Sequence, residues 1–236
     1  FETKFPVFFK RELSIKFNVV NFELDYFLNF DILKIQKGCM FLNQYFTNNN
    51  NLTSKERVIK YNYGSNCYEF ISDNGVFSKN KIDFGSITLI ETYLKNKKDI
   101  HNFLDVGCGY GFLSIVLSKE LNISGTGIDV NLKAIELAQK NALLNKVSVS
   151  FKESNIYENI DTSFDLIITN PPIRAGKKVV LDILQNAKKH LNAHGELWAV
   201  IRKDQGAKSI IKILEDTYKV EIKEKNKGFY VFCCKI

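Results

Sequence analysis

The chain has 236 residues, 45% of them hydrophobic, enough for one sizeable core or a core with a small appendage. Its formal charge of +7 fits an anionic partner such as RNA and fits an ordinary basic enzyme equally well. Five cysteines without a Cys-x-x-Cys pair argue against a zinc site or a disulfide framework and for a reducing, cytoplasmic setting; no apolar run reaches the roughly 18 residues of a membrane span, and no signal-peptide pattern opens the sequence.

Residues 1–39 hold eight of the nineteen phenylalanines and carry no sustained helical or strand period. Met40 is the single methionine, so the expectation is a natural start there, preceded by an unrelated extension. The alternative is a small cap built from Leu13–Phe17 and Phe22–Leu33. A polar tract at Asn48–Asn51 follows. Lys55–Tyr63 and Cys67–Ile71 read as two short strands, and Asp73-Asn74-Gly75 is a turn signal. Val76-Phe77-Ser78 comes next, then Asp83-Phe84-Gly85-Ser86 as the start of a helix through Leu89, Ile90, Tyr93 and Leu94. The expected organisation is an extension at 1–39, a lid or flanking hairpin with its helix at 40–98, and a ligand-binding domain at 99–236.

From Asn102 onward strands and helices alternate. Strands are expected at Phe103–Val106, Gly125–Val130, Val147–Phe151, Phe164–Thr169 and Glu196–Ile201. Helices fall between them: one through Leu113–Leu117, one from Asn131, one over Lys177–Leu191 and one over Ala207–Leu214. Tyr218–Ile222 and Phe229–Cys234 are too close for a crossover helix and must pair antiparallel. The fold class is therefore α/β: a Rossmann-like, doubly wound, mostly parallel seven-stranded sheet with an antiparallel terminal strand.

Two stretches carry chemistry. Gly107-Cys108-Gly109-Tyr110-Gly111 follows the first strand of this region, where backbone can approach a ligand; position 112 is Phe, so the spacing is not that of a dinucleotide fingerprint. Asp129, twenty residues after Gly109, ends the next strand and suits a ribose. The second stretch is Asn170-Pro171-Pro172-Ile173, with two of the chain's three prolines. It ends the Phe164–Thr169 strand and fixes a rigid loop, so that the Asn170 carboxamide oxygen and the Pro171 carbonyl become two acceptors for the hydrogens of an amine. The bland alternative is a strand-ending turn without chemistry. His101, His190 and His194 lack metal-ligand spacing, and no metal is expected.

Leu104–Gly111, Gly127–Asn131 and Asn170–Ile173 resemble motifs I, II and IV of the class I S-adenosylmethionine-dependent methyltransferases. Asp73–Ser78, Asp83–Ser86 and Ile173–Lys178 resemble the small-domain family of rRNA guanine-N2 methyltransferases, from about Met40 to the last residue. The resemblance implies S-adenosylmethionine as cofactor. Asp105 with Gly107, Cys108, Gly109 and Gly111 would hold its methionine portion, Asp129 with Val130 its ribose, and Asn155, where the family usually has Asp, its adenine. Asp83, Gly85 and Ser86 would close that pocket. Asn170, Pro171, Pro172 and Ile173 would act on the amine, Phe77 would face the substrate, and Arg174, Lys177, Lys178, Arg202, Lys203 and Lys208 would form a phosphate rim. The implied partner is rRNA or a ribosomal subunit; no membrane partner is expected, and the sequence carries no signal for an oligomeric state. Adenine-N6 methylation, protein glutamine-amide methylation, against which Ile173 speaks because Tyr normally stands there, and a non-catalytic RNA-binding module with a vestigial cofactor site remain as alternatives.

Overall fold

The computed structural model describes residues 53–236. The extension at 1–39, the start at Met40 and the tract at 48–51 lie outside the described residues. Among the described residues the elements run β1 (Arg57–Tyr63), β2 (Asn66–Ser72), α1 (Phe84–Lys95), β3 (Phe103–Val106), α2 (Phe112–Leu121), β4 (Gly125–Asp129), α3 (Leu132–Asn145), β5 (Val149–Glu153), β6 (Phe164–Thr169), α4 (Lys177–Asn186), β7 (Leu191–Arg202), α5 (Ala207–Leu214), β8 (Lys219–Asn226) and β9 (Phe229–Lys235).

β3 to β9 form one seven-stranded sheet in the order β5-β4-β3-β6-β7-β9-β8, and β1 with β2 forms a separate antiparallel hairpin. The first five strands of that order are parallel, while β9 is antiparallel to both β7 and β8. The last strand in the chain is thus inserted inside the sheet. Period-two alternation sends Phe103, Leu166, Ile168 and Trp198 to one face, under α1, α2, α3 and the hairpin. Leu104, Ile167, Leu197 and Phe232 point to the other face, under α4 and α5. Both faces are covered, so the central strands β3 and β6 read as nearly continuous apolar runs.

Several boundaries differ from the expectation: β1 starts at Arg57 rather than Lys55, and β8 runs over Lys219–Asn226 rather than Tyr218–Ile222. β5 runs over Val149–Glu153 rather than Val147–Phe151, because Val147 is spent on closing α3: Lys146 adopts φ 58° and the Val147 N–H donates to the Ala142 carbonyl. α4 ends at Asn186 rather than Leu191. There the Tyr218 hydroxyl donates to the Leu184 carbonyl and accepts from Lys188 N–H, which turns the chain into a 3-10 segment, Ala187–His190. Leu191 then already belongs to β7, opposite Phe164.

The β1–β2 hairpin is docked by asparagines. Asn141 Oδ1 accepts from Ile71 N–H at 2.7 Å and its Nδ2 donates to the carbonyls of Ile71 and Tyr110, both at 2.9 Å. One helical turn later Asn145 does the same for Glu69, accepting at 3.2 Å and donating at 2.7 Å. The outer edge of β2 is thereby paired with a helix instead of another strand, which satisfies backbone groups that burial would otherwise orphan. Tyr61, Tyr68 and Phe70 fill the space beneath, against Phe112. At the end of β2, Asp73 is fully buried. Burial alone would raise its carboxyl, but hydrogen bonds from Ser54, Lys55, Asn74 and Lys133 outweigh it and hold it at about 2.

Candidate active site

The carboxyl ends of β3, β4 and β6 meet at one edge of the sheet, and the side chains singled out from the sequence gather there. Asp105, the third residue of β3, is completely buried. Its Oδ2 accepts from Ser114 N–H at 3.1 Å and Ser114 Oγ–H at 2.6 Å. Its Oδ1 is buried and accepts nothing from the described residues. A buried carboxylate oxygen left this way is costly unless a donor arrives. Burial, opposed by the two Ser114 bonds and reinforced by the charge of Asp129, pushes the Asp105 carboxyl up to about 7.

The turn from Gly107 to Gly111 is held from below: Gly107 N–H and Cys108 N–H both donate to the Ile128 carbonyl, at 2.8 and 2.9 Å. Gly107 (φ 74°) and Gly109 (φ 56°) are left-handed, and a Cβ at either would meet nothing within 4 Å. The space over these two glycines is open. Gly111 differs, since it starts α2 at φ 90° with Ile115, Ala138 and Phe151 within 3.2 Å of where a Cβ would stand. Cys108 is buried and desolvation pushes its thiol well up, so it is a packing residue rather than a nucleophile.

Asp129 closes β4. Oδ2 accepts from Gly109 N–H and Oδ1 from Asn131 N–H, both at 2.9 Å, so one carboxylate ties the glycine turn to the start of α3. Burial raises its carboxyl despite these bonds. Val130 follows it, half-buried. Asn131 caps α3 through Lys133 and Ala134 N–H, and its Nδ2 donates at 2.9 Å to the Gly75 carbonyl, on the loop that carries Phe77. Phe77 is 55% exposed, unusual for a phenylalanine on so short a loop. Asn155, after β5, is exposed and its amide nitrogen donates to Glu158, while its side-chain oxygen accepts nothing from the described residues.

At the end of β6, Thr169 Oγ donates to the Val106 carbonyl and locks β6 to β3. Asn170 is half-buried. Its Nδ2 donates to Asp83 Oδ2 at 2.9 Å and to Ser86 Oγ at 2.8 Å. Asp83 also caps α1 through Ser86 N–H at 2.9 Å. Both amide hydrogens are therefore spent on the first turn of α1, and Oδ1 accepts nothing from the described residues. Asp83 and Ser86, expected at the cofactor pocket, are thus placed on the Asn170 amide. Pro171 is buried; Ile173 is half-buried in a 3-10 turn and packs on the α4 side of the sheet. Arg174 and Lys177 follow it, exposed, with Lys177 Nζ donating to Ser209 Oγ. Arg202 lies at the end of β7, paired with Asp204 at 2.8 Å.

Sequence reasoning gave Asn131 as a helix start without its bond to the Gly75 loop, and it missed Ser114, Asn141 and Asn145. A signal existed for the last two: asparagines four residues apart on the face of α3 that also bears Ala134 and Ala138. Among the described residues no group of three or more His, Cys, Asp or Glu could hold a metal ion, and no helix is long and apolar enough to cross a membrane.

Residues 67–233 match the family model described as the methyltransferase small domain. A Bacillus subtilis protein described as uncharacterized protein YbxB is 39% identical over 196 residues, 81% of this chain and 97% of that one. The ribosomal RNA small subunit methyltransferase C of Buchnera aphidicola subsp. Schizaphis graminum is 40% identical over 128 residues, 52% of this chain and only 38% of its own length. Among solved structures, a T. thermophilus 16S rRNA N2 methyltransferase in complex with AdoMet and guanosine superposes with a TM-score of 0.70 at 23% identity, covering 78% of this chain and 51% of that one.

Proposed function

The chain belongs to the methyltransferase small-domain family, whose cofactor is S-adenosylmethionine, and we propose that it methylates an exocyclic amine, guanine N2 of small-subunit rRNA. The observation that carries this reading is the orientation of Asn170, whose amide nitrogen is tied to Asp83 and Ser86 so that its oxygen is left as an acceptor.

The residues fit the cofactor. The orphaned, buried Asp105 Oδ1 suits the ammonium of the methionine portion, and the open space over Gly107 and Gly109 suits the chain that follows it. Asp129, already bonded to two backbone N–H groups, keeps lone pairs for ribose hydroxyls, with Val130 beside it and Asn155 Oδ1 left as an acceptor for the adenine amino group. When bound, S-adenosylmethionine supplies a methyl group on a sulfonium, already electrophilic.

The protein's task is alignment and charge placement. Guanine N2 is a poor nucleophile because its lone pair is delocalised into the ring. Asn170 Oδ1 and the Pro171 carbonyl each accept one of its hydrogens, which draws the nitrogen toward a pyramidal shape with its lone pair turned away from them. Asp83 adds to this. A carboxylate that accepts from the amide N–H polarises the carboxamide and makes its oxygen a stronger acceptor. After methylation the nitrogen is acidic enough to shed its proton to water without a dedicated base. Phe77 offers a ring on which the extruded base can stack, while Ile173 packs alongside. Arg174, Lys177, Lys178, Arg202, Lys203 and Lys208 face the phosphates.

The names of the RNA methyltransferase relatives support the substrate class. The test is transfer of a labelled methyl group to small-subunit rRNA beside tRNA, DNA and total protein. Label on guanine N2 is expected. Label only on adenine or in protein would overturn the substrate assignment, and no label together with no cofactor binding would overturn the enzymatic reading.

A further inference from the structure

The turn between β8 and β9 reaches the same sheet end as Asn170. Arg202 of β7 lies opposite Phe229 of β9, which lies opposite Asn226 of β8, so the three strands finish side by side. Lys203 N–H donates to the Gly228 carbonyl at 2.7 Å and pins the turn to the end of β7. Lys227 (φ 44°) and Gly228 (φ 83°) make it a tight two-residue reversal rather than a loose loop.

Cations and rings interleave on this tip. The Arg202 guanidinium lies 5.5 Å from the Phe229 ring centre, the Phe229 and Phe84 rings are 5.6 Å apart, and Lys227 Nζ lies 5.0 Å from the Phe84 ring. Lys225 Nζ stands 5.2 Å from the Tyr230 ring. The aromatic faces fix where these long side chains put their charges, which reduces the entropy lost when a ligand is bound. Of the acids here, Asp204 is paired with Arg202, Asp83 accepts from Ser86 N–H and the Asn170 amide, and Glu224 Oε1 accepts from Lys225 N–H. Lys203, Lys225 and Lys227 make no ion pair among the described residues. The other end of the same hairpin is the opposite case: Lys219, Lys223 and Lys235 all gather on Glu221. Lysines of the hairpin are ion-paired far from the site and unpaired beside it, among the described residues.

The tip is also joined to the reacting group. Phe84 opens α1, the helix capped by Asp83, and a Cβ on Gly85 would stand 2.7 Å from the Phe229 ring.

We propose that the β8–β9 tip, with Lys203, Lys225 and Lys227 as its free cations, Lys227 seated on Phe84 and Lys225 on Tyr230, is a docking surface for the RNA backbone flanking the target nucleotide. This rests on the RNA reading above and adds to it a contact surface built by the last hairpin of the fold. Bound phosphates would run from the tip past the start of α1 to the Asn170 pocket.

The test is the salt dependence of binding of a small-subunit rRNA fragment to the full chain and to its Lys225→Gln/Lys227→Gln variant. Two lost phosphate contacts reduce the slope of log affinity against log salt by about 1.4 and weaken binding roughly tenfold at low salt. S-adenosylmethionine affinity and Tm should not change, since both lysines are exposed. RNA bound by the parent with an unchanged slope in the variant overturns the docking surface and leaves the substrate reading intact. A parent that binds S-adenosylmethionine but neither binds nor methylates RNA overturns both.

Discussion

Asn170 and Asp83 are 87 residues apart in the sequence and 2.9 Å apart in the fold, amide nitrogen to carboxylate oxygen. An ionised carboxylate can only accept, so the atom facing it must be the nitrogen. The contact therefore sets which end of the Asn170 amide is presented outward. Asp83→Ala releases that choice. Turnover should fall about 10- to 100-fold with cofactor affinity unchanged, beside a loss of about 1 kcal/mol for the missing helix cap. Asp83→Asn, whose side-chain oxygen can still accept, should recover part of the rate. Titration with S-adenosylmethionine checks the account, since an Asp83 that lined the cofactor pocket would lose affinity instead.

Two glycines should separate stability from binding. A Cβ on Gly85 meets Phe229 at 2.7 Å and Asp83 Oδ2 at 2.8 Å, so Gly85→Ala overpacks the base of the site and should cost about 1–3 kcal/mol, with a lower Tm and slower turnover. Gly109→Ala enters open space, with only the strain of its φ of 56°, about 1–2 kcal/mol. Its main effect should be weaker S-adenosylmethionine binding. Thermal melts with and without cofactor distinguish the two.

Asp105 makes cofactor binding pH-dependent. Its folded carboxyl sits at about 7, above the ordinary value of 3.8, so without ligand the fold holds a proton there that the unfolded chain releases. The Asp105 contribution to stability accordingly falls as pH rises from about 4 to about 7 and is level above that. An ammonium on Oδ1 requires the ionised form. Affinity for S-adenosylmethionine should rise from pH 5 to pH 7.5 and then level off, with proton release on binding below pH 7. Calorimetry in buffers of different ionisation enthalpy reads that proton directly. Asp105→Asn should flatten the profile and weaken binding at every pH.

Asn141→Leu removes one acceptor and two donors from buried backbone groups of Ile71 and Tyr110. Each orphaned group costs about 1–3 kcal/mol, so a Tm fall of at least several degrees is expected. Hydrogen exchange at Glu69 and Ile71 should accelerate more than exchange in β3 or β6. Equal acceleration throughout would mean that Asn141 supports the whole fold rather than the hairpin.

The sheet was legible because its signal is local. Apolar runs at Phe103–Val106 and Phe164–Thr169, glycines at 107, 109 and 111, and a tail too short for a crossover each dictate one feature of the topology. Asp129 and Asn170 were legible as candidates because strand ends carry ligand chemistry in such folds, and Asp105 through the resemblance of Leu104–Gly111 to a methyltransferase motif. Their partners were not. Asp83 reads as a helix cap, and it is one; that the same carboxylate also turns the Asn170 amide depends on β6 and α1 meeting in three dimensions. Asn141 and Asn145 read as polar helix residues because their backbone partners on β2 lie 70 and 76 residues away. The end of α4 was misplaced for the same reason, since Tyr218 closes it from beyond α5.

The central claim is that the Asn170 oxygen, held outward by Asp83 and Ser86, acts on the amine as it is methylated and not on the cofactor. Single-turnover methyl transfer to rRNA at saturating S-adenosylmethionine by the Asn170→Ala variant, beside its cofactor affinity, tests it most directly. The account predicts an affinity within about twofold of the parent and a rate lower by about 100-fold or more. A rate within about threefold of the parent, or a loss of rate that tracks a loss of cofactor affinity, would contradict it.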